Sequence, residues 1–154
     1  MSEQAPVQYL SVEDLLALVR VLGVGPVRDL GLLDAAAARP ASHLFGQESY
    51  PALELKAAAL LESVTNHHAL VDGNKRLGWL AAVVFLDLNG FRCTLSQDDA
   101  FTLVWDIAAG DLERARQPRG GHRALDLLHQ QRQDSRASVD GDDDGKLDVS
   151  GGGF

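Results

Sequence analysis

The sequence predicts an all-α domain, and three observations predict it. Leu and Ala dominate, aromatic residues make up 6% of the chain, and β-branched runs are short, a composition that favours helix. Apolar residues recur at helical spacing in most segments,. The stretch from Leu77 to Leu88 is apolar on nearly every face, and a soluble chain can keep such a helix only at the centre of its core. The expected architecture is a compact helical bundle around one buried central helix. At 154 residues the chain is long enough to bury that core as one domain without crosslinks.

Taken in order, Ser11-Val12-Glu13-Asp14 reads as a capping box with Asp in place of Glu. Leu15, Leu16, Leu18, Val19 and Leu22 continue it at helical spacing, and Gly23 or Gly25 stops it,. Gly23 to Gly31 is a Gly-rich loop or short hairpin that fits neither the dinucleotide fingerprint nor a phosphate loop,. Leu32 to Ala38 predicts a short helix ended by Arg39-Pro40, and Ala41 to Ser49 an irregular surface loop,. Ser49 and Pro51 open a strong helix, with Leu53, Ala57, Leu60, Leu61 and Val64 on one face and Glu54, Lys56 and Glu62 facing out,.

Asp72-Gly73 is a turn dipeptide, and Asn74 is the expected N-cap of the central helix,. Asn89-Gly90 closes that helix,. Beyond a short extended connector, Ser96 to Asp99 starts a helix that Gly110 ends, and His122 to Gln131 forms the last amphipathic helix. The expected domain is 1–131, followed by an acidic, disordered Gly/Asp-rich tail over 132–154,.

Charge narrows the function. The net charge is −8, and six Asp against Arg136 and Lys146 between Asp134 and Phe154 carry −4 of it. An acidic chain argues against direct nucleic-acid binding, whose affinity comes mostly from neutralising phosphates. The single cysteine, Cys93, excludes an internal disulfide and suits a cytoplasmic setting. No signal peptide is read at the N-terminus, and no stretch is long enough to span a membrane,.

Against this acidic background, Lys75 and Arg76 fall in the first turn of the central helix. Free N–H groups and the positive end of the dipole already occupy that place. A local rule broken at the mouth of the most buried helix points to a functional site, and a bound phosphate resolves the misfit. His68 supplies a general base and Asp72 a hard oxygen ligand for Mg²⁺, which needs only one or two protein carboxylates,. Together these are the parts of phosphoryl or nucleotidyl transfer, which is mostly positioning and charge neutralisation.

Plainer accounts exist. The stretch would also serve as a turn between helices, with His68 capping and Asp72 pairing with Lys75 or Arg76. A transition-metal site built on His67, His68 and Asp72 lacks further ligands at a helpful spacing,. Cys93 reads as an inert buried thiol, and Arg114, Arg116, Arg119 and Arg123 as solvated helix ends. Asp140 to Asp148 matches the first half of a calcium loop, but its twelfth position is Gly151, which excludes ordinary calcium affinity.

His68-Ala69-Leu70-Val71-Asp72-Gly73-Asn74-Lys75-Arg76 resembles the signature of Fic/Doc proteins, specifically the Doc branch with its pattern H-x-F-x-D-[GA]-N-K-R. The resemblance extends roughly from Tyr9 to Leu128. It implies a Fic fold with a small N-terminal flap, and ATP-dependent modification of a hydroxyl on a target protein. His68 would activate that hydroxyl, Asp72 would hold Mg²⁺, and Gly73, Asn74, Lys75 and Arg76 would bind the phosphates. Arg28, Asp29 and Leu30 would belong to the flap that pins the target. AMP-transferring relatives carry Gly where Lys75 stands and a second Arg where Trp79 stands, so the resemblance favours a kinase over an adenylyltransferase. The implied target is elongation factor Tu, and the implied control is a Phd-like antitoxin acting in trans. Leu70 replaces the usual Phe, and Leu77-Gly78 the common Thr-Ala. A non-catalytic scaffold of the same fold is the remaining alternative.

Overall fold

The computed structural model describes residues 5–92. It contains four helices, α1 (Val12–Leu22), α2 (Leu30–Ala38), α3 (Leu53–Asn66) and α4 (Asn74–Leu88). Between α2 and α3 lie a 3₁₀ turn (Arg39–Ala41) and a hairpin of β1 (His43–Leu44) with β2 (Gln47–Glu48). Among these residues the protein is all-α apart from that hairpin. The two C-terminal helices, Cys93, the arginine cluster and the boundary at residue 131 lie outside the described residues.

The capping box of α1 forms as expected. Ser11 Oγ accepts from Asp14 N–H at 3.2 Å, and the Asp14 carboxylate accepts from Ser11 N–H at 2.8 Å. Gly23, in the left-handed region, closes the helix. Helix α2 begins two residues earlier than the apolar pattern suggests, because Asp29 caps it by accepting from Leu32 N–H,.

Helices α3 and α4 make the most extensive contact between elements. Small residues alternate with large ones along their seam: Ala57, Ala58, Leu61 and Val64 of α3 and Leu77, Gly78, Ala81 and Phe85 of α4 are all buried. Helix α1 contributes Leu15 and Val19 to the same core, and α2 contributes Leu33, Ala36 and Ala37. Close approach is what Gly78 permits. A Cβ there would lie 2.6 Å from Thr65 Oγ1 and 3.2 Å from the Leu61 carbonyl oxygen.

Three expectations about the middle of the chain need correction. Helix α3 starts at Leu53, with Ala52 as N-cap and no side-chain cap, so Pro51 lies ahead of it. The segment 41–49 is not an irregular loop. Its hairpin turns through Phe45 and Gly46, both at positive φ, the pattern of a two-residue type I′ turn. Glu54 and Lys56 do not face out. Both are buried, Lys56 at 2% exposure, and Glu62 is half-buried.

Lys56 survives burial because partners surround it. Its ammonium lies 3.1 Å from Glu48 Oε1 on β2 and 5.6 Å above the Tyr9 ring. Desolvation pulls its pKa down, but hydrogen bonds and charge from Tyr9 and Glu48 outweigh it, leaving the pKa raised above 10.5,. Arg39, in the 3₁₀ turn, is likewise tied to α3. It donates to Tyr50 Oη and Ser63 Oγ, both at 2.9 Å, and pairs with Glu62 at 2.7 Å.

Candidate active site

The site is the loop from His67 to Gly73 that joins α3 to α4. Its shape follows from where its backbone hydrogen bonds go. Val27 bridges Leu70 in antiparallel fashion. The segment before α2 is therefore a flap laid along this loop rather than a hairpin on itself. Arg28 and Asp29 N–H both donate to Ala69 C=O, at 2.7 and 3.1 Å. Val71 N–H donates to Pro26 C=O, and Gly25 N–H to Asp72 C=O, each at 3.0 Å. Arg28 Nη2 donates to His68 C=O.

The remaining loop groups turn the other way and are met by Asn74. Leu70 N–H donates to Asn74 Oδ1 at 3.0 Å, and Asn74 Nδ2 donates to Leu70 C=O at 2.9 Å. This alters the reading of the helix start. Gly73, at φ 90, is the N-cap of α4, and Asn74 is its first residue. Local preference favoured Asn74 as the cap, but its amide is spent on Leu70. Gly73 is required for a second reason, since a Cβ there would lie 2.5 Å from Val24 on the flap.

His68 follows the C-cap of α3, which is His67 rather than His68. It is exposed and sits at φ 52, a left-handed conformation costing a non-glycine residue about 1–2 kcal/mol. Leu70, smaller than the usual Phe, is nonetheless fully buried, and both its backbone polar groups are met by Asn74. Asp72, Lys75 and Arg76 are exposed.

Asp72 and Arg76 approach to 3.6 Å across one helical turn, so part of the plain helix-turn account is present. The carboxylate is 83% exposed and the guanidinium 62%. A pair that open to water is worth roughly 0.3–0.5 kcal/mol. Each cation in a first helical turn costs about 0.3–1 kcal/mol against the dipole. On its own this pair is smaller than the summed cost of two such cations. The amides of that turn lie ahead of the first helical hydrogen bond, Leu77 N–H to Gly73 C=O, and so face the mouth of α4.

With that geometry in place, comparison with known proteins decides the family. Residues 9–86 match the family model described as Fic/DOC family. The chain belongs to the Fic/Doc family. It is similar to the Toxin Doc of Mycolicibacterium smegmatis (strain ATCC 700084 / mc(2)155), at 46% identity over 110 residues covering 69% of this chain and 85% of that protein. This likeness places it in the Doc branch. No solved structure matches the chain.

The Fic/Doc loop thus brings His68, Asp72, Gly73, Asn74, Lys75 and Arg76 to one end of α4. The flap residues are placed differently from one another. Arg28 reaches back to His68, Asp29 caps α2, and Leu30 is exposed at the start of α2. Among the described residues, no three His, Cys, Asp or Glu side chains group to hold a metal ion. The loop fits a nucleotide-borne Mg²⁺ all the same, because one exposed carboxylate is what such an ion takes from the protein. Sequence reasoning missed Arg39, the burial of Lys56 and the Arg28–His68 link. Each joins residues whose partners are distant in the chain, and no local pattern marks them.

Proposed function

We propose that this Fic/Doc protein is a Doc-like toxin that phosphorylates a hydroxyl on a target protein, with Mg-ATP as donor. One observation carries the proposal: a loop braced from both sides delivers an exposed histidine and carboxylate to a helix mouth bearing two cations. Such bracing supplies the positioning on which phosphoryl transfer depends. His68 takes the proton of the target hydroxyl. The hydroxyl oxygen bonds to the γ-phosphorus as the bond to the β-phosphate oxygen breaks, and ADP leaves. Lys75, Arg76 and the amides of Gly73, Asn74 and the first turn hold the phosphate oxygens. Mg²⁺ on Asp72 would neutralise phosphate charge.

The flap presents the target. In the narrow antiparallel pairing with Leu70, the N–H and C=O of Val27 point away from the loop,, so an extended target segment can add there as a strand, beside Leu30. The expected target is elongation factor Tu, with translation arrest in the cytoplasm as the outcome. A Phd-like antitoxin in trans is the expected control. Among the described residues no helix is long and apolar enough to cross a membrane.

The test is incubation with Mg²⁺, elongation factor Tu and ATP labelled at either end. Label should reach the factor from γ-labelled ATP, and His68→Ala should abolish it. Transfer only from α-labelled ATP would make the protein an adenylyltransferase. No transfer, together with no growth arrest on induced expression in bacteria, would leave a non-catalytic scaffold.

A further inference from the structure

We propose that Arg28 is a positioning residue for His68, holding from the flap the backbone state in which the histidine is presented. The proposal rests on the reading of His68 as the base. His68 is in the left-handed region, which a non-glycine residue keeps only where its surroundings over-determine it. The surroundings here can be named group by group. The carbonyls of Ala69 and Asp72 and the N–H of Val71 are tied to main-chain atoms of the flap, and both polar groups of Leu70 to Asn74. The carbonyl of His68 is tied instead to a side chain, the guanidinium of Arg28, 40 residues earlier in the chain.

That difference makes the link separable. Replacing Arg28 releases His68 and leaves every other bond between flap and loop in place. Arg28 is exposed, and among the described residues it makes no ion pair. The bond lies at the exposed surface, and what it supplies is geometry at His68. The planar, pre-organised fork of arginine suits that purpose better than a flexible ammonium. Arg28 also adjoins Val27, so a strand added to the flap would lie one residue from the group that sets His68.

The experiment uses the full chain as wild type, Arg28→Ala and Arg28→Lys. Histidine-labelled NMR spectra are recorded, with the His68 signals identified by His68→Gln. In Arg28→Ala the His68 signals should shift and broaden while the melting temperature changes by no more than a few degrees. The kcat for phosphate transfer should fall roughly 10- to 100-fold with the KM for ATP unchanged. Arg28→Lys should fall between the two, and added guanidinium ion should restore Arg28→Ala but not His68→Ala. Unmoved His68 signals in Arg28→Ala would overturn the proposal. So would a loss of kcat that follows the loss of stability and resists guanidinium. Should the wild type transfer no phosphate, the proposed function fails, and the His68 signals still decide the role of Arg28.

Discussion

Asn74 shows how one side chain changes meaning between sequence and structure. By local preference it is a helix cap, yet its amide serves as donor and acceptor to a single buried residue, Leu70. Asn74→Ala would leave the N–H and C=O of Leu70 unmatched. We expect it to destabilise the fold by about 2–4 kcal/mol, read as a lower urea midpoint. Asn74→Asp keeps the acceptor for Leu70 N–H and loses the donor to Leu70 C=O, so it should recover only part of that loss. An unchanged midpoint with weakened ATP binding would instead assign the side chain to the phosphates. The candidate site could be picked out at this scale, because His68, Asp72, Lys75 and Arg76 are close in sequence and the two cations break a rule of helix electrostatics,. The role of Asn74 was not, because cap and brace demand the same residue type.

At the scale of elements, the seam between α3 and α4 is governed by size. Gly78→Ala would press a methyl group against Thr65 Oγ1 and Leu61, at an expected cost of about 1–3 kcal/mol for overpacking. Thr65 Oγ1 is buried and has no hydrogen-bond partner among the described residues, so Thr65→Ala should relieve the clash. A double-mutant cycle should show the two substitutions coupling favourably. The hairpin is fastened to α3 by charge rather than by bulk. Because the Lys56 pKa is raised in the folded protein, its contribution is complete below the unfolded value of 10.5 and declines as pH rises through the folded value. The gap in melting temperature between wild type and Lys56→Met should hold constant through neutral pH and narrow only in the alkaline range above that value. Helices were readable here because caps and apolar spacing are local. The hairpin was not: two strands of two residues show no alternation, and Phe45-Gly46 is not a usual turn pair,.

At the scale of the molecule, α4 ties together α1, α3 and the loop that carries the candidate site. Asn89 at its C-terminus donates to Gln8 C=O and accepts from Gln8 N–H, both at 2.9 Å, and Asn74 at its N-terminus grips the loop between α3 and α4 through Leu70. An asparagine at each end thus ties the helix to the chain around it, and α1, α3 and the flap settle against that frame. The fold class followed from composition and periodicity because both describe a core. Lys56 and Arg39 lay beyond such reasoning, since a charged residue reads as exposed until its distant partners are known. The central claim is that the mouth of α4 exists to hold a nucleotide's phosphates. A crystal of His68→Ala grown with ATP and Mg²⁺ tests it most directly. Phosphate oxygens should lie on the first-turn amides with Lys75 and Arg76, with the γ-phosphate on the side of residue 68. A mouth empty of nucleotide at saturating ATP, with Asp72 and Arg76 still paired, would contradict the account.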